Sequence, residues 1–158
     1  MKPLEAIGLL FALLAATTVL GLVWRARQGR VARGTGDIVT PADVATTTAF
    51  GPAATLLQFS TELCARCPGT RRLLGTVADS RPGVVHVDVD LTHRADLAKR
   101  YSILQTPTTL ILDGAGRVRA RVGGAPNRAD ISATLDEIAQ NTATHTLTTT
   151  PGSPHVDH

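Results

Sequence analysis

The sequence predicts an α/β domain with a three-layer core and the element order βαβαββα, preceded by one apolar N-terminal helix. Three observations predict this fold. One segment alternates apolar and polar residues with the period of a strand, its neighbours carry apolar residues at helical spacing, and the only two cysteines stand where a strand passes into a helix. With 158 residues, the chain has room for one ordinary domain and extensions at its ends.

An uncharged apolar run from residue 6 to residue 24 opens the chain. A helix of this length spans roughly 28 Å, close to the roughly 30 Å of a bilayer's hydrocarbon layer. No small-residue cleavage site follows Trp24, which itself suits the membrane interface. Residues 1–24 are therefore predicted to be an uncleaved, single-pass transmembrane anchor.

The charges that flank this run predict its orientation. Only Lys2 and the amino terminus precede it, offset by Glu5, whereas four arginines follow within nine residues. Basic flanks are retained in the cytoplasm, so the domain is expected on the cytoplasmic side of the cell membrane, with an extracytoplasmic domain as the alternative. The arginines could also bind anionic lipid headgroups, which favours the same leaflet. They are Arg25, Arg27, Arg30 and Arg33.

Two segments show no regular apolar period. Residues 25–50 are rich in Arg, Gly, Thr and Ala and are predicted to be a linker, whereas residues 51–140 form the domain. Residues 141–158 are rich in Thr and Pro and are predicted to be a disordered tail. The histidines of the tail are interpreted as solvated rather than as metal ligands.

The first half of the domain predicts a strand, helix, strand and helix. Thr55 to Ser60 forms a buried strand, and the helix from Pro68 to Asp79 follows it. Val85 to Leu91 alternates with polar residues as a second strand, and Thr92 is expected to cap the next helix. The two strands should be parallel, joined by a right-handed crossover.

The second half predicts a hairpin and a final helix. Thr108 to Leu112 and Arg117 to Val122 flank the turn Asp113-Gly114-Ala115-Gly116, as in an antiparallel hairpin. The last helix begins at Asn127 and buries three apolar residues at helical spacing. These are Ile131, Leu135 and Ile138.

The sequence Cys64-Ala65-Arg66-Cys67 carries the chemistry. Free backbone N–H groups at a helix start stabilise a thiolate, and Arg66 adds a positive charge nearby. Cys64 is predicted to be the nucleophile, and Cys67 would then attack the mixed disulfide formed at Cys64. Two alternatives are a static bridge, which would stabilise little across so short a loop, and half of a metal site.

Charge and aromatic content argue against a nucleic-acid partner. The stretch from residue 51 to residue 140 carries eleven basic and nine acidic residues and is close to neutral. Aromatic residues make up 3% of the chain. A nucleic-acid surface would need a basic face or stacking rings.

The domain resembles the thioredoxin family over about residues 54–140. Three matches in the correct order carry the resemblance: the strand that runs into Cys64-Ala65-Arg66-Cys67, the step Thr106-Pro107-Thr108, and the turn Gly123-Gly124-Ala125. The resemblance implies that Pro107 is cis and faces the cysteines, and that the backbone of Thr106 pairs with the substrate. The substrate-binding residues that it implies are Leu63, Ala65, Arg66, Thr106, Pro107 and Gly124.

The departures from the family concern the same site. Leu63 replaces the family's tryptophan, and Ala65-Arg66 replaces its Gly-Pro. Gln58 and His86 stand where the family has a buried aspartate and a lysine that are thought to manage the proton of the second cysteine. An amide cannot take a proton, so His86 is the candidate substitute base, although a histidine on a strand is more often solvated.

The sequence thus predicts a membrane-anchored protein-disulfide reductase that needs no cofactor beyond the redox-active disulfide of Cys64 and Cys67. Its expected partners are disulfides of client proteins and an upstream dithiol that donates electrons. An extracytoplasmic reductase of cytochrome c maturation is one alternative. A non-enzymatic copper-binding module, using His86 or His93 with the dithiol, is the other.

Overall fold

The computed structural model describes residues 3–27 and 29–148, with the surroundings of side chains described for residues 7–23 and 29–144. From the second strand onward the element order is the predicted βαβαββα. The elements are α1 (Pro3–Arg27), β1 (Val31–Arg33), a 3-10 helix (Ala42–Val44), β2 (Ala54–Ser60), α2 (Cys67–Asp79), β3 (Val84–Asp90), α3 (Ala95–Arg100), β4 (Thr108–Asp113), β5 (Val118–Gly123) and α4 (Arg128–Thr148).

The five strands form one mixed sheet in the order β1-β5-β4-β2-β3. Strands β2 and β3 are parallel and joined through α2, which confirms the predicted crossover. Strands β4 and β5 form the predicted antiparallel hairpin, whose turn is held by hydrogen bonds from the N–H groups of Ala115 and Arg117 to Asp113 Oδ1, both 3.0 Å. All seven residues of β2 are buried, as expected for an interior strand with both neighbours paired.

Alternation along β2 sends successive side chains to two separate apolar clusters, one on each face of the sheet. Leu57 and Phe59 belong to the cluster that packs under α3. Leu56 belongs to the cluster on the opposite face, which includes buried residues of α2 and the predicted core positions of α4. The sheet is therefore the middle of three layers, as predicted. These residues of α2 and α4 are Leu74, Val77, Ile131, Leu135 and Ile138.

The prediction that residues 25–50 form a linker is wrong for residues 29–50. Strand β1 pairs antiparallel with β5, and Val39 and Val44 are each 2% exposed in the cluster under α3. An ion pair of 2.7 Å joins Asp43 to Arg100 at the end of α3. Because two isolated valines show no apolar period, the composition of the segment suggested a linker.

The N-terminal apolar run is a helix, α1, as predicted. Within the described residues, however, no helix combines the length and the apolar character that a bilayer crossing requires. The predicted transmembrane anchor over residues 1–24 is therefore not supported.

Helix α4 begins where the sequence predicts, because Asn127 Oδ1 accepts a hydrogen bond of 2.9 Å from the N–H of Ala129. It ends later than predicted, since the helix continues past Gln140 to Thr148. Thr142 and Thr144 return hydrogen bonds to the carbonyls of the preceding turn, which accommodates these polar residues in the helix. The rest of the predicted disordered tail, residues 149–158, lies outside the described residues.

Candidate redox active site

Three connections meet at one edge of the sheet. Phe59, near the end of β2, pairs with Thr108 at the start of β4, and Thr108 pairs with Gly123 at the end of β5. The loop after β2, the loop before β4 and the turn after β5 therefore leave the sheet side by side. This edge, which we call the redox edge, brings together the three sequence segments that carry the resemblance.

Cys64 and Cys67 form a disulfide, with a distance of 5.4 Å between their Cα atoms. Cys67 is the first residue of α2, whereas Cys64 lies in the turn before the helix rather than in its first turn as predicted. Pro68 explains this start, since proline suits the first turn of a helix and lacks the N–H that a later turn would need. Cys67 is 3% exposed and Cys64 is half-buried, so Cys64 is the more accessible of the two residues.

The peptide bond between Thr106 and Pro107 is cis, as the resemblance implies. Pro107 is buried at the start of β4, and its carbonyl accepts a hydrogen bond of 2.7 Å from the N–H of Gly124. The hydroxyl groups of Thr106 and Thr61 lie 3.1 Å apart. This hydrogen bond links the loop before β4, which contains Pro107 (the proline loop), to the loop after β2, which contains Cys64 (the cysteine loop). Sequence reasoning missed Thr61, although a threonine directly after a buried strand is a recognisable signal.

Gln58 and His86 form a chain of hydrogen bonds that ends at the second cysteine. The Gln58 amide nitrogen donates to the carbonyl oxygen of Cys67 at 3.2 Å. His86 Nε2 lies 3.2 Å from the Gln58 amide oxygen. The two residues that replace the family's aspartate and lysine are therefore in contact with each other and, through Gln58, with Cys67.

His86 is half-buried rather than simply solvated on the polar face of its strand. Burial lowers the pKa of His86, and the charge of Arg71 lowers it further, whereas the carboxylates of Asp88 and Asp79 raise it. Arg71 and Asp88 form an ion pair beside the imidazole. The proton-transfer role of His86 stays a prediction, and the net lowering of its pKa means that the imidazole is neutral near pH 7.

Two leucines on the loops that leave this edge of the sheet are almost fully exposed. Leu63, directly before Cys64, is 98% exposed. Leu104, in the loop before Pro107, is 95% exposed and was missed by sequence reasoning. An apolar residue just before the proline step, outside the apolar period of α3, is the signal that could have found it. Both leucines stand on connections at the redox edge.

A groove of about 420 Å³ lies between the start of α2 and the turn that follows β5. Two of the predicted substrate-binding residues, Ala65 and Arg66, line it, opposite Ala125 and Pro126. Gly124, adjacent in the chain, is buried behind this turn. The groove thus brings Ala65 and Arg66 together with the turn after β5.

Thr92 does not cap α3 as predicted, because the residue before that helix is Arg94 and no side-chain cap is present. Thr92 instead accepts a hydrogen bond of 3.0 Å from the N–H of Glu62, two residues before Cys64. Its own hydroxyl donates to Asp90 at 2.6 Å. The end of β3 therefore supports the cysteine loop.

Over the part of the chain that the structure describes, no group of three or more His, Cys, Asp or Glu residues is arranged to hold a metal ion. His155 and His158 of the tail lie outside the described residues.

No protein-family model matches the chain, and no curated protein matches it. Solved structures similar to it include a mutant thioredoxin of Halobacterium salinarum NRC-1, with 17% identity over 55% of this chain and 75% of that one, at a TM-score of 0.49. The thioredoxin of Fasciola hepatica has 22% identity over 55% and 82% of the two chains, at 0.47. Oxidised mitochondrial thioredoxin 3 of Saccharomyces cerevisiae has 20% identity over 54% and 78%, at 0.47.

The structure itself shows the mixed sheet with flanking helices that the sequence predicts. The predicted order of elements from β2 to α4 is present, and a disulfide joins Cys64 to Cys67. At such low identities the activity of this chain has to follow from its own residues.

Proposed function

We propose that the protein is a thiol:disulfide oxidoreductase that acts as a protein-disulfide reductase. The observation that carries the proposal is the unequal exposure of the two linked cysteines at the redox edge. Cys64 is half-buried, and Cys67, the first residue of α2, is 3% exposed. A static bridge would not need one sulfur to be accessible, whereas a reductase does.

In the reduced protein, the Cys64 thiolate attacks one sulfur of a client disulfide. A bond forms between Cys64 and that sulfur, and the other client sulfur leaves as a thiolate that takes up a proton. Cys67 then attacks Cys64, releases the second client thiol and restores the bond seen in the structure. Two electrons pass to the client, and an upstream dithiol returns two electrons to the pair.

We propose that a client protein contacts the residues that lie around Cys64. Leu63 offers an exposed apolar contact, and Ala65 and Arg66 line the adjacent groove. Thr106, Pro107 and Gly124 form the opposite side, where Thr106 is fixed by its contact with Thr61. An extended client segment would therefore lie between the cysteine loop and the proline loop.

The full chain should catalyse the reduction of a peptide disulfide by dithiothreitol. The measurement is the rate of thiol release from a fluorescently quenched disulfide peptide. The matched control is the same chain, reduced and then alkylated at both cysteines. A rate no higher than that of the alkylated chain would contradict the proposed activity.

The cellular location is a separate question from the chemistry. We propose a membrane surface, with the domain on the cytoplasmic side, and two observations support attachment through α1. The large apolar side chains between Ile7 and Val23 are 43 to 70% exposed, and soluble proteins rarely leave so large an apolar surface in water. Four basic residues follow this segment, and basic residues are attracted to the anionic headgroups of the cytoplasmic leaflet.

A reporter that is active only after export, fused to the C-terminus, should therefore remain inactive, and the chain should sediment with membranes. An active reporter, with Cys64 labelled from outside by an impermeant thiol reagent, would place the domain outside and favour the extracytoplasmic alternative. Recovery of the chain in the soluble fraction would contradict membrane attachment. A fusion that lacks residues 1–27 is the control for sedimentation.

A further inference from the structure

We propose that a groove between the sheet and α4 binds the phosphate group of a phosphate monoester. The groove has a volume of about 450 Å³ and lies between the pair of strands β1 and β5 and one side of α4. We call it the arginine groove, because Arg33, Arg117 and Arg119 line it. The inference goes beyond the proposed reductase, since neither the cysteine loop nor the proline loop lines this groove.

A β-bulge in β5 explains why Arg119 lines the groove. Ile111 pairs with Ala120, and the next residue, Leu112, pairs with Val118, so Arg119 has no partner on β4. Val118 belongs to the cluster under α3, whereas Ala120 belongs to the cluster that includes α4. Regular alternation would have placed Val118 and Ala120 on one face of the sheet. The extra residue changes this alternation, and Arg119 lies where the strand changes from one face to the other.

Arg33 and Arg117 leave the sheet on the same side as α4. Arg33 pairs with Ala120, and residues directly opposite each other in an antiparallel pair share a face. Arg117 precedes Val118, whose side chain lies on the α3 side, so alternation directs Arg117 to the α4 side. The pairing of β1 with β5 therefore brings together arginines from two distant parts of the chain.

Two glycines hold the segment after β1 against β5. The N–H of Gly34 donates to the carbonyl of Arg119 at 2.8 Å, and the N–H of Gly36 donates to the carbonyl of Val118 at 3.1 Å. A Cβ atom at Gly34 would collide with the carbonyl oxygen of Val118, so this close approach requires glycine. The backbone beneath the arginines is thus fixed before a ligand arrives, which lowers the entropic cost of binding.

The charges that line the groove are not balanced. Among the described residues that line it, Glu137 of α4 is the only acidic one, so the arginines leave an excess of two positive charges. Arg119 Nη1 lies 4.0 Å from Asp113 Oδ2, which is too far for a hydrogen bond. Arg117 Nη1 donates one hydrogen bond of 3.1 Å to the carbonyl of Gly36, which leaves its other N–H groups for a ligand.

A phosphate monoester matches this excess, because its charge near pH 7 is about −1.5 to −2. Guanidinium groups form paired, charge-assisted hydrogen bonds with phosphate oxygens. A carboxylate would bring only one negative charge. Thr134, Glu137 and Asn141 line the wall formed by α4, and their side chains can form hydrogen bonds with hydroxyl groups. The ligand class is therefore a phosphate monoester with a small hydroxylated organic part, such as glycerol phosphate.

Two sources carry this chemistry, a soluble ester and the headgroup of phosphatidic acid. The lipid is a source because α1 ends at Arg27, only six positions before Arg33, and its large apolar side chains are exposed. The soluble ester needs no membrane. Both sources present the same phosphate group to the same three arginines, so they are distinguished by measuring each with the same variants.

The test uses the full chain in a non-ionic detergent, since α1 exposes apolar side chains. Isothermal titration calorimetry measures the dissociation constant for glycerol phosphate and for short-chain phosphatidic acid, with short-chain phosphatidylcholine as the lipid without net charge. Arg33→Gln and Arg119→Gln should each weaken binding of the phosphate ligand by about tenfold to a hundredfold, the usual effect of losing one charged hydrogen bond.

Arg33→Gln is the decisive variant. Arg33 is exposed, and within the described part of the chain its side chain forms no hydrogen bond or ion pair, so the substitution should leave the fold intact. Arg128→Gln is the matched control, because Arg128 is an exposed arginine of α4 that does not line the groove. This control removes the same charge and should leave the dissociation constant within about twofold, as expected for a distant charge screened by salt. Near-ultraviolet circular dichroism checks that each variant is folded.

Binding that Arg33→Gln weakens and Arg128→Gln does not would support the inference, for either source. An effect on glycerol phosphate alone would identify a soluble ester, and an effect on phosphatidic acid alone would identify the lipid headgroup. Absence of binding of both ligands at millimolar concentration would overturn the inference. Equal weakening by Arg33→Gln and Arg128→Gln would also overturn it, because net charge alone would then explain binding. Since the titration needs no redox activity, failure of the proposed reductase leaves this test unaffected.

Discussion

Cys67→Ser should convert the full chain into a trap that accumulates covalent mixed disulfides with client proteins through Cys64. Cys64 is the more exposed sulfur, so it makes the first attack, and without Cys67 no second thiol resolves the product. Turnover should fall to the uncatalysed rate, because loss of a reacting group costs orders of magnitude. Non-reducing gels and mass spectrometry of the linked peptides measure the adducts.

Cys64→Ser is the matched control, since it retains one thiol of the same pair. It should also lose turnover, but it should form few adducts, because Cys67 is 3% exposed. Adducts that form mainly through Cys67 in this variant would contradict the assignment of the nucleophile. Adducts in both variants at equal rates would contradict the role of exposure.

Removal of residues 1–50 should strongly destabilise the domain, whereas a chain that begins at Gly29 should retain the stability of the fold. The longer chain keeps the pairing of β1 with β5 and the two buried valines, Val39 and Val44. Each buried valine side chain contributes about 1.5–3 kcal/mol. Domains of ordinary size have a total stability of only about 5–15 kcal/mol, so the loss is a large share.

Denaturant unfolding of the two chains measures this difference in the free energy of unfolding. Point variants in the longer chain separate burial from chain length. Val39→Ala should lower the unfolding midpoint, whereas Ile38→Ala should change it little, because Ile38 is 58% exposed on the same segment. Equal midpoints for the chains that begin at Gly29 and Gly51 would show that residues 29–50 are a linker after all.

The elements with strong periodic patterns were predictable from the sequence. Strand β3 alternates valines with polar residues, and α4 carries Ile131, Leu135 and Ile138 at helical spacing. The spacing of apolar residues therefore indicates both the type of secondary structure and the face that is buried. The spacing of Cys64 and Cys67 likewise predicted that the two residues form a disulfide. These features depend on neighbours in the chain, which a sequence displays directly.

Other features depend on residues far apart in the chain. Val39 and Val44 look like ordinary linker residues, and only the open edge of β5 and the pocket under α3 explain their burial. Thr92 looks like a helix cap but supports the cysteine loop through Glu62. A segment of low periodicity acquires its structure from the surface that it covers, and that surface exists only after the sheet has formed.

The sequence by itself determined the element order, the pair of cysteines and the unusual residues at positions 58 and 86. Only the tertiary structure decided that Cys67 is buried while Cys64 is partly exposed. It also decided that Gln58 forms hydrogen bonds with both His86 and the carbonyl of Cys67. The physical reason is that exposure and hydrogen-bond direction are properties of packed neighbours. Residues separated by 28 positions, as Gln58 and His86 are, acquire them only when β2 and β3 pair.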